Sequence, residues 1–161
     1  MAGRYGRRAR VRGRAQHSHS PCRAWRVMIL NRLRLPPPER ADEANRPVLV
    51  VDDNTAMLKI VSRVISGRGY RVITATNVAD AIAALDAARP PVVILDVNLG
   101  PEDGLEVLRK AKEYPGVSTV VLSGTAEGRI LDRARSLGAD RIMGKPFSIE
   151  EIMDFLKSVL G

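Results

Sequence analysis

Asp52, Asp53, Asp96, Ser123 and Lys145 are the residues of this 161-residue chain whose types could act together chemically. Asp52 and Asp53 directly follow the apolar run Val48-Leu49-Val50-Val51, and Asp96 directly follows Val92-Val93-Ile94-Leu95. Ser123 closes the run Val117–Leu122, and Lys145 stands just past Ile142-Met143. Short, β-branched runs of this kind read as strands buried on both faces, so each residue stands where a strand leaves the core. Three nearby carboxylates repel one another, and a cation among them relieves the repulsion. Hard oxygen ligands with room left for water select Mg²⁺. An ionised Asp96 beside that ion can act as a nucleophile on an incoming phosphoryl group. Phosphoryl transfer chiefly needs positioning and charge neutralisation. Mg²⁺ would neutralise one phosphoryl oxygen, Lys145 a second, and the Ser123 hydroxyl could donate to a third.

Taken singly, each residue has a structural explanation. Asp52 or Asp53 could cap the helix that follows, Ser123 could be a turn residue before Gly124, and Lys145 could be a surface lysine. All of these explanations holding together, at the same end of successive strands, is a much smaller chance than any one of them.

The elements that must position these residues alternate along the chain. Strands are expected over Val48–Val51, Tyr70–Ala75, Val92–Leu95, Val117–Leu122 and Asp140–Met143. Helices are expected over Asn54–Ser66, from an Asn77 cap to about Ala88, over Gly104–Lys112, over about Ala126–Leu137, and after Ser148. Leu58, Val61 and Ile65 mark the inner stripe of the first helix, and Ala81, Ile82 and Leu85 that of the second. Gly67 and Gly69, Pro90-Pro91 and Gly138 are the stops. Ser148 and Glu151 have the spacing of a capping box, with Phe147 and Ile152 placed to staple across it. Ile149, Ile152, Leu156 and Val159 form the expected core stripe of this last helix. Five apolar strands alternating with five amphipathic helices predict an α/β fold, a doubly wound parallel sheet covered on both faces. Ligands of such sheets bind at the carboxyl ends of the strands, where strand order reverses.

Charge divides the chain at residue 46. Residues 1–46 hold twelve Arg, no Lys and three acids, a net +9, whereas residues 47–161 hold fourteen basic and fifteen acidic residues, a net −1. The overall +8 therefore belongs to the N-terminal segment. That segment is rich in Gly, Arg, Ser and Pro and shows no sustained period. It reads as a disordered tail and linker ending in the stiff Pro36-Pro37-Pro38. It is open to three readings: an arm for nucleic acid or another anionic surface, a targeting peptide, or translated sequence ahead of a true start at Met28. His17 and His19 lack further ligands, and Cys22, the single cysteine, can form no internal disulfide. No apolar run approaches the length of a membrane span, and a cytoplasmic setting fits the lone thiol.

The motifs Val-Val-Asp52-Asp53-Asn54, Ile-Leu-Asp96-Val-Asn98-Leu, Leu-Ser123-Gly124 and Lys145-Pro146-Phe147 resemble the receiver domain of bacterial two-component response regulators. The resemblance covers about residues 47–161. The separations of 43, 27 and 22 residues between Asp53, Asp96, Ser123 and Lys145 suit that family. It implies a flavodoxin-like fold with strand order 2-1-3-4-5. It implies that Asp96 accepts a phosphoryl group from a phosphohistidine on a sensor histidine kinase or phosphotransfer protein. It further implies Mg²⁺ held by Asp53, Asp96 and the Asn98 backbone carbonyl, with Asp52 acting through a water. Lys145 would contact the phosphoryl group, the Lys145-Pro146 bond would be cis, and Gly104 would open the third helix. Two positions depart from the family pattern. Gly100, followed by Pro101, stands where a proline is frequent. Ile142 stands three residues before the lysine, where Tyr or Phe usually turns inward on activation.

The leading expectation is a single-domain response regulator, a phosphoacceptor rather than an enzyme acting on other molecules. Its output would pass through protein contacts or onward phosphotransfer, to a target the sequence does not name. A receiver-like module that binds partners independently of phosphorylation is the alternative from another class, favoured by Ile142 and opposed by the complete acid cluster. Nucleic-acid binding is assigned to the Arg-rich tail if anywhere, not to the near-neutral folded part. A metal-dependent hydrolase with an Asp nucleophile would want a second Asp two residues after the first, and Asn54 stands there.

Overall fold

The computed structural model describes residues 47–124 and 128–161. The readings made for residues 1–46, including His17, His19, Cys22 and a start at Met28, fall outside the described residues.

Among the described residues seven strands and five helices follow one another: β1 (Val48–Val51), α1 (Thr55–Gly67), β2 (Val72–Ala75), α2 (Val78–Ala88), β3 (Val92–Asp96), β4 (Asn98–Leu99), β5 (Glu102–Asp103), α3 (Leu105–Lys112), β6 (Ser118–Ser123), α4 (Gly128–Ser136), β7 (Arg141–Gly144) and α5 (Ile149–Leu160). The main sheet runs β2-β1-β3-β6-β7, every pairing parallel. Counted over its own five strands, this is the expected order 2-1-3-4-5. The order reverses between β1 and β3, which places Asp52 and Asp96 side by side at the carboxyl edge.

The apolar strands are buried because both faces are covered. Leu49, Val51, Val93, Leu95 and Val121 face α2, α3 and α4. Val48, Val50, Val92, Ile94, Val120 and Leu122 face α1 and α5. Adjacent residues alternate between the two cores, as the period-two pleat requires. Each fully buried Val, Leu or Ile contributes ~1.5–3 kcal/mol relative to exposure, so these five strands form a rigid base for whatever their ends carry.

Local signals set the helix starts. Asn54 caps α1 by accepting from the backbone of Ala56 and Met57, and Asn77 caps α2 by accepting from Asp80. The Ser148–Glu151 capping box is present in both directions, and Phe147 and Ile152 share one apolar cluster. Neither Asp52 nor Asp53 serves as the cap of α1, which leaves their side chains to the sheet edge.

The structure departs from the sequence reading at several places. Tyr70 and Arg71 lie before β2, which begins at Val72. The fourth and fifth main strands are shifted one residue onward, so Ser123 is the last residue of β6 and Asp140 lies outside β7. Asp140 instead accepts from the backbone and hydroxyl of Thr119 and pairs with Lys112. The described part of α4 begins at Gly128; Ala126, its expected start, lies outside the described residues. Val159 is exposed rather than buried. The inner stripe of α5 continues from Leu156 to Leu160, because a 3.6-residue turn brings the i+4 position, not i+3, back to the core there. The short antiparallel hairpin of β4 and β5 was not expected at all.

Candidate functional site

Asp52 and Asp96 end neighbouring strands and are almost wholly buried, while Asp53 is exposed at the rim. One carboxylate oxygen of each lies within 4.8 Å of the others. Asp52 Oδ1 accepts from the Asn54 backbone at 2.8 Å. Asp96 Oδ1 accepts from the Asn98 backbone at 3.0 Å. The second oxygen of each buried acid is held by Lys145, whose Nζ donates to Asp96 Oδ2 at 2.6 Å and to Asp52 Oδ2 at 3.1 Å. Both buried carboxylates are therefore hydrogen-bonded at both oxygens, which offsets part of the cost of taking them out of water.

Lys145 reaches the cluster from the loop after β7. Its own backbone donates to the Ser123 carbonyl at 2.7 Å, and the Lys145-Pro146 bond is cis. Burial pushes the Lys145 ammonium down. The hydrogen bonds to Asp96 and then Asp52 outweigh that burial and hold it above its ordinary 10.5. The lysine is therefore a fixed positive charge at neutral pH. Ser123 is buried at the end of β6, one residue past Leu122, which is the register partner of Asp96.

The loop after Asp96 is tightly constrained. The Gly104 backbone donates to the Val97 carbonyl at 3.1 Å. A Cβ on Gly104 would stand 2.6 Å from the Asp96 carbonyl oxygen and 2.8 Å from that of Val97. Glycine is required here by close backbone approach, not by an unusual φ. Gly100, at φ +62°, turns the hairpin so that its Cα side faces Asp53; a Cβ there would lie 3.7 Å from Asp53 Oδ2. The departure from proline at this position thus fits a left-handed turn that proline cannot adopt.

The structure brings Asp52, Asp53, Asp96, Ser123 and Lys145 to the one edge that the sequence assigned them, with Asn98 next to Asp96. Sequence reasoning missed the two acids of β5. Glu102 Oε2 accepts from the Val78 backbone at the start of α2 at 3.0 Å. Asp103 Oδ1 accepts from the Leu105 backbone, and Asp103 Oδ2 accepts from Arg133 of α4, both at 3.0 Å. The Gly100-Pro101 turn signal was the one trace of this hairpin in the sequence.

A Mg²⁺ ion suits this donor set. All candidate ligands are hard oxygens, the carboxylates converge without filling an octahedron, and Asp53 opens to solvent so that waters can complete the shell. At Lys145 lies an apolar groove of about 540 Å³ lined also by Met57, Ile60, Val61, Pro146, Phe147 and Ile149. Ile60 is 57 % exposed there.

Fold and site together define a receiver domain, and comparison with known proteins agrees. The response regulator receiver domain family matches residues 48–157, and the chain belongs to that family. It is 40 % identical over 128 residues to the transcriptional regulatory protein TrcR of Mycobacterium tuberculosis, covering 78 % of this chain and 49 % of that one. It is 29 % identical over 117 residues to sporulation initiation phosphotransferase F of Bacillus subtilis, covering 72 % of this chain and 94 % of that one. The chain thus spans about half the length of the transcriptional regulators it matches. Among solved structures, a CheY-like receiver domain from Methanospirillum hungatei superposes with a TM-score of 0.68 at 27 % identity, over 71 % of this chain and 93 % of that one. A response regulator from Burkholderia pseudomallei, solved with a phosphorylated aspartic acid, calcium ion and citrate, superposes with a TM-score of 0.64 at 28 % identity, over 72 % and 66 % of the two chains.

Proposed function

We propose that this protein accepts a phosphoryl group on Asp96 from a phosphohistidine of a sensor kinase or phosphotransfer protein and signals through the surface this changes. The observation that carries the reading is the pair of hydrogen bonds that Lys145 donates to Asp96 and Asp52, which fixes a cation beside a buried acid at the mouth of the acid cluster. A carboxylate oxygen of Asp96 forms the new bond to phosphorus as the phosphorus–nitrogen bond breaks, and the electron pair leaves with the donor histidine. On this reading Lys145 and the Ser123 hydroxyl contact phosphoryl oxygens. Asp53, Asp96 and the Asn98 carbonyl are the ligands assigned to Mg²⁺, with Asp52 acting through a water. Bound there, Mg²⁺ would neutralise charge developing on the transferred group.

The groove beside Lys145 supports docking of the donor. It places exposed Ile60 and half-buried Met57 within one surface with the lysine that touches Asp96, so an apolar helix face seated there brings its histidine to the site. Such a donor sets the place of action in the cytoplasm. Among the described residues no helix is long and apolar enough to cross a membrane. On this reading the protein is a phosphoacceptor that promotes its own phosphorylation and slow dephosphorylation, with no other substrate. Likeness to the sporulation phosphotransferase over nearly its whole length favours output by protein contact or onward transfer. The transcriptional regulators match over about half their length.

Incubation with acetyl phosphate and Mg²⁺, followed by intact mass measurement, tests the proposal. One phosphoryl group should be added to the wild type and none to Asp96→Asn. Equal labelling of both, or none of either with or without Mg²⁺, rejects it. Ile142, half-buried against the α2–α4 core where an aromatic usually switches, favours one second reading: partner binding independent of phosphorylation. Partner affinity unchanged in Asp96→Asn would select it.

A further inference from the structure

Two polar contacts joined by one cross-strand pair lead from Asp96 to α4 without passing through Ile142. Asp96 Oδ1 accepts from the Asn98 backbone at 3.0 Å. Asn98 pairs with Asp103 across the β4–β5 hairpin. Asp103 Oδ2 receives the Arg133 guanidinium at 3.0 Å. The hairpin is also tied on its other side, where Glu102 accepts from the first residue of α2. Its base is closed by the Gly104–Val97 backbone bond. The segment between Asp96 and α3 is thus a braced hairpin, held at its base and on both sides.

We propose that Arg133 is a positioning residue for the Asp96 site, and that the Asp103–Arg133 ion pair couples phosphorylation of Asp96 to α4. This rests on the phosphoacceptor reading given above and adds to it the route of output. Both groups of Asn98 bear on the site: its N–H holds Asp96, and its carbonyl is the ligand assigned to the metal. A phosphoryl group brings about −1.5 to −2 charge to Asp96. With the metal, it draws the Asn98 end of the hairpin inward and tightens the register that presents Asp103 to Arg133. The ion pair is then favoured in the phosphorylated state, and α4 is held more firmly. Coupling between two sites is reciprocal, so loss of Arg133 must weaken ligand binding at Asp96 by the same factor. The pair is partly exposed, at 56 % and 42 % for the two side chains. Exposed pairs of this kind set the scale at about 2- to 5-fold at low salt, falling as salt screens them.

The test uses the full chain with Mg²⁺ and beryllofluoride, a stable mimic of the phosphoryl group. Fluorine NMR reads binding at Asp96, and hydrogen exchange reads residues 128–136. The wild type should bind beryllofluoride and slow exchange in α4. Arg133→Gln should bind it about 2- to 5-fold more weakly and lose most of the slowing, whereas Arg133→Lys, which keeps the charge, should recover much of both. Beryllofluoride binding with α4 exchange unaltered in the wild type overturns the coupling and leaves the phosphoacceptor reading intact. An equal response in wild type and Arg133→Gln does the same. Absence of beryllofluoride binding in the wild type overturns both. Matching exchange in the ligand-free proteins serves as the check that α4 is folded in each variant; if Arg133→Gln unfolds it, Asp103→Asn, which keeps an acceptor for Leu105, decides by the same readouts.

Discussion

Lys145 Nζ lies 2.6 Å from Asp96 Oδ2, although the two residues are 49 positions apart in the chain. It also holds Asp52, so one ammonium serves two buried carboxylates. Replacing Lys145 with Met keeps much of the stem volume and removes the charge. The two acids are then left facing each other, and the expected loss of stability without metal is about 1–3 kcal/mol, below the range for fully buried pairs because the ammonium is partly exposed. Mg²⁺ should recover part of it. Thermal melts of Lys145→Met with and without Mg²⁺ check this; an unaltered Tm in metal-free buffer contradicts it. Labelling by acetyl phosphate should fall at least ~10-fold.

Gly104 admits no side chain, because the Asp96 and Val97 backbones lie within 3 Å of where a Cβ would stand. Gly104→Ala must displace the segment that positions Asp96, at a cost of about 2–3 kcal/mol. Gly67→Ala at the end of α1 meets nothing within 4 Å and should be neutral or slightly stabilising. Urea unfolding of the two variants side by side measures the difference, and equal midpoints would contradict the close approach.

Asp140 ties the end of α3 to the start of β6. Burial pushes its carboxyl upward, but the bonds from Lys112 and Thr119 outweigh this and leave it below its ordinary 3.8. A depressed folded value means that the stabilisation is present above 3.8 and is lost as pH falls through the folded value. Asp140→Asn should therefore lower stability near neutral pH by about 0.5–1 kcal/mol, a figure held down because the pair is partly exposed. The gap from wild type should close as pH is lowered from 3.8 through the folded value. Urea midpoints across that range test the sign; a gap that widens in acid contradicts it.

Ser148 caps α5 and exchanges hydrogen bonds with Glu151 in both directions. Ser148→Ala should cost about 1 kcal/mol. The resulting fraying belongs to the start of α5, three residues beyond Lys145, so it should also raise hydrogen exchange there before it affects the sheet. Uniform exchange across the domain would contradict that localisation.

Much of the site was legible because strand burial and strand ends are local properties. Asp52, Asp53 and Asp96 each follow an apolar run, and a parallel sheet brings the ends of such runs to one edge. Helix starts at Asn54, Asn77 and Ser148 were legible for the same reason, since a cap acts within three or four residues. The hairpin after Asp96 was not. Two-residue strands carry no usable period, and their stability here comes from Glu102 reaching α2 and Asp103 reaching α4. Val159 was misplaced because whether i+3 or i+4 returns to the core depends on how the last turn of α5 lies on the sheet.

The sequence by itself determined the alternation of elements, the order of the sheet once the family resemblance was drawn, and which residues stand at its carboxyl edge. These follow from apolar runs, capping residues and spacing. Only the tertiary structure decided how the charges are shared. Lys145 bonds both Asp52 and Asp96, Asp53 is left open toward solvent, and Arg133 meets Asp103 across 30 positions. Those pairings depend on distances between side chains far apart in the chain, and no local pattern carries such distances.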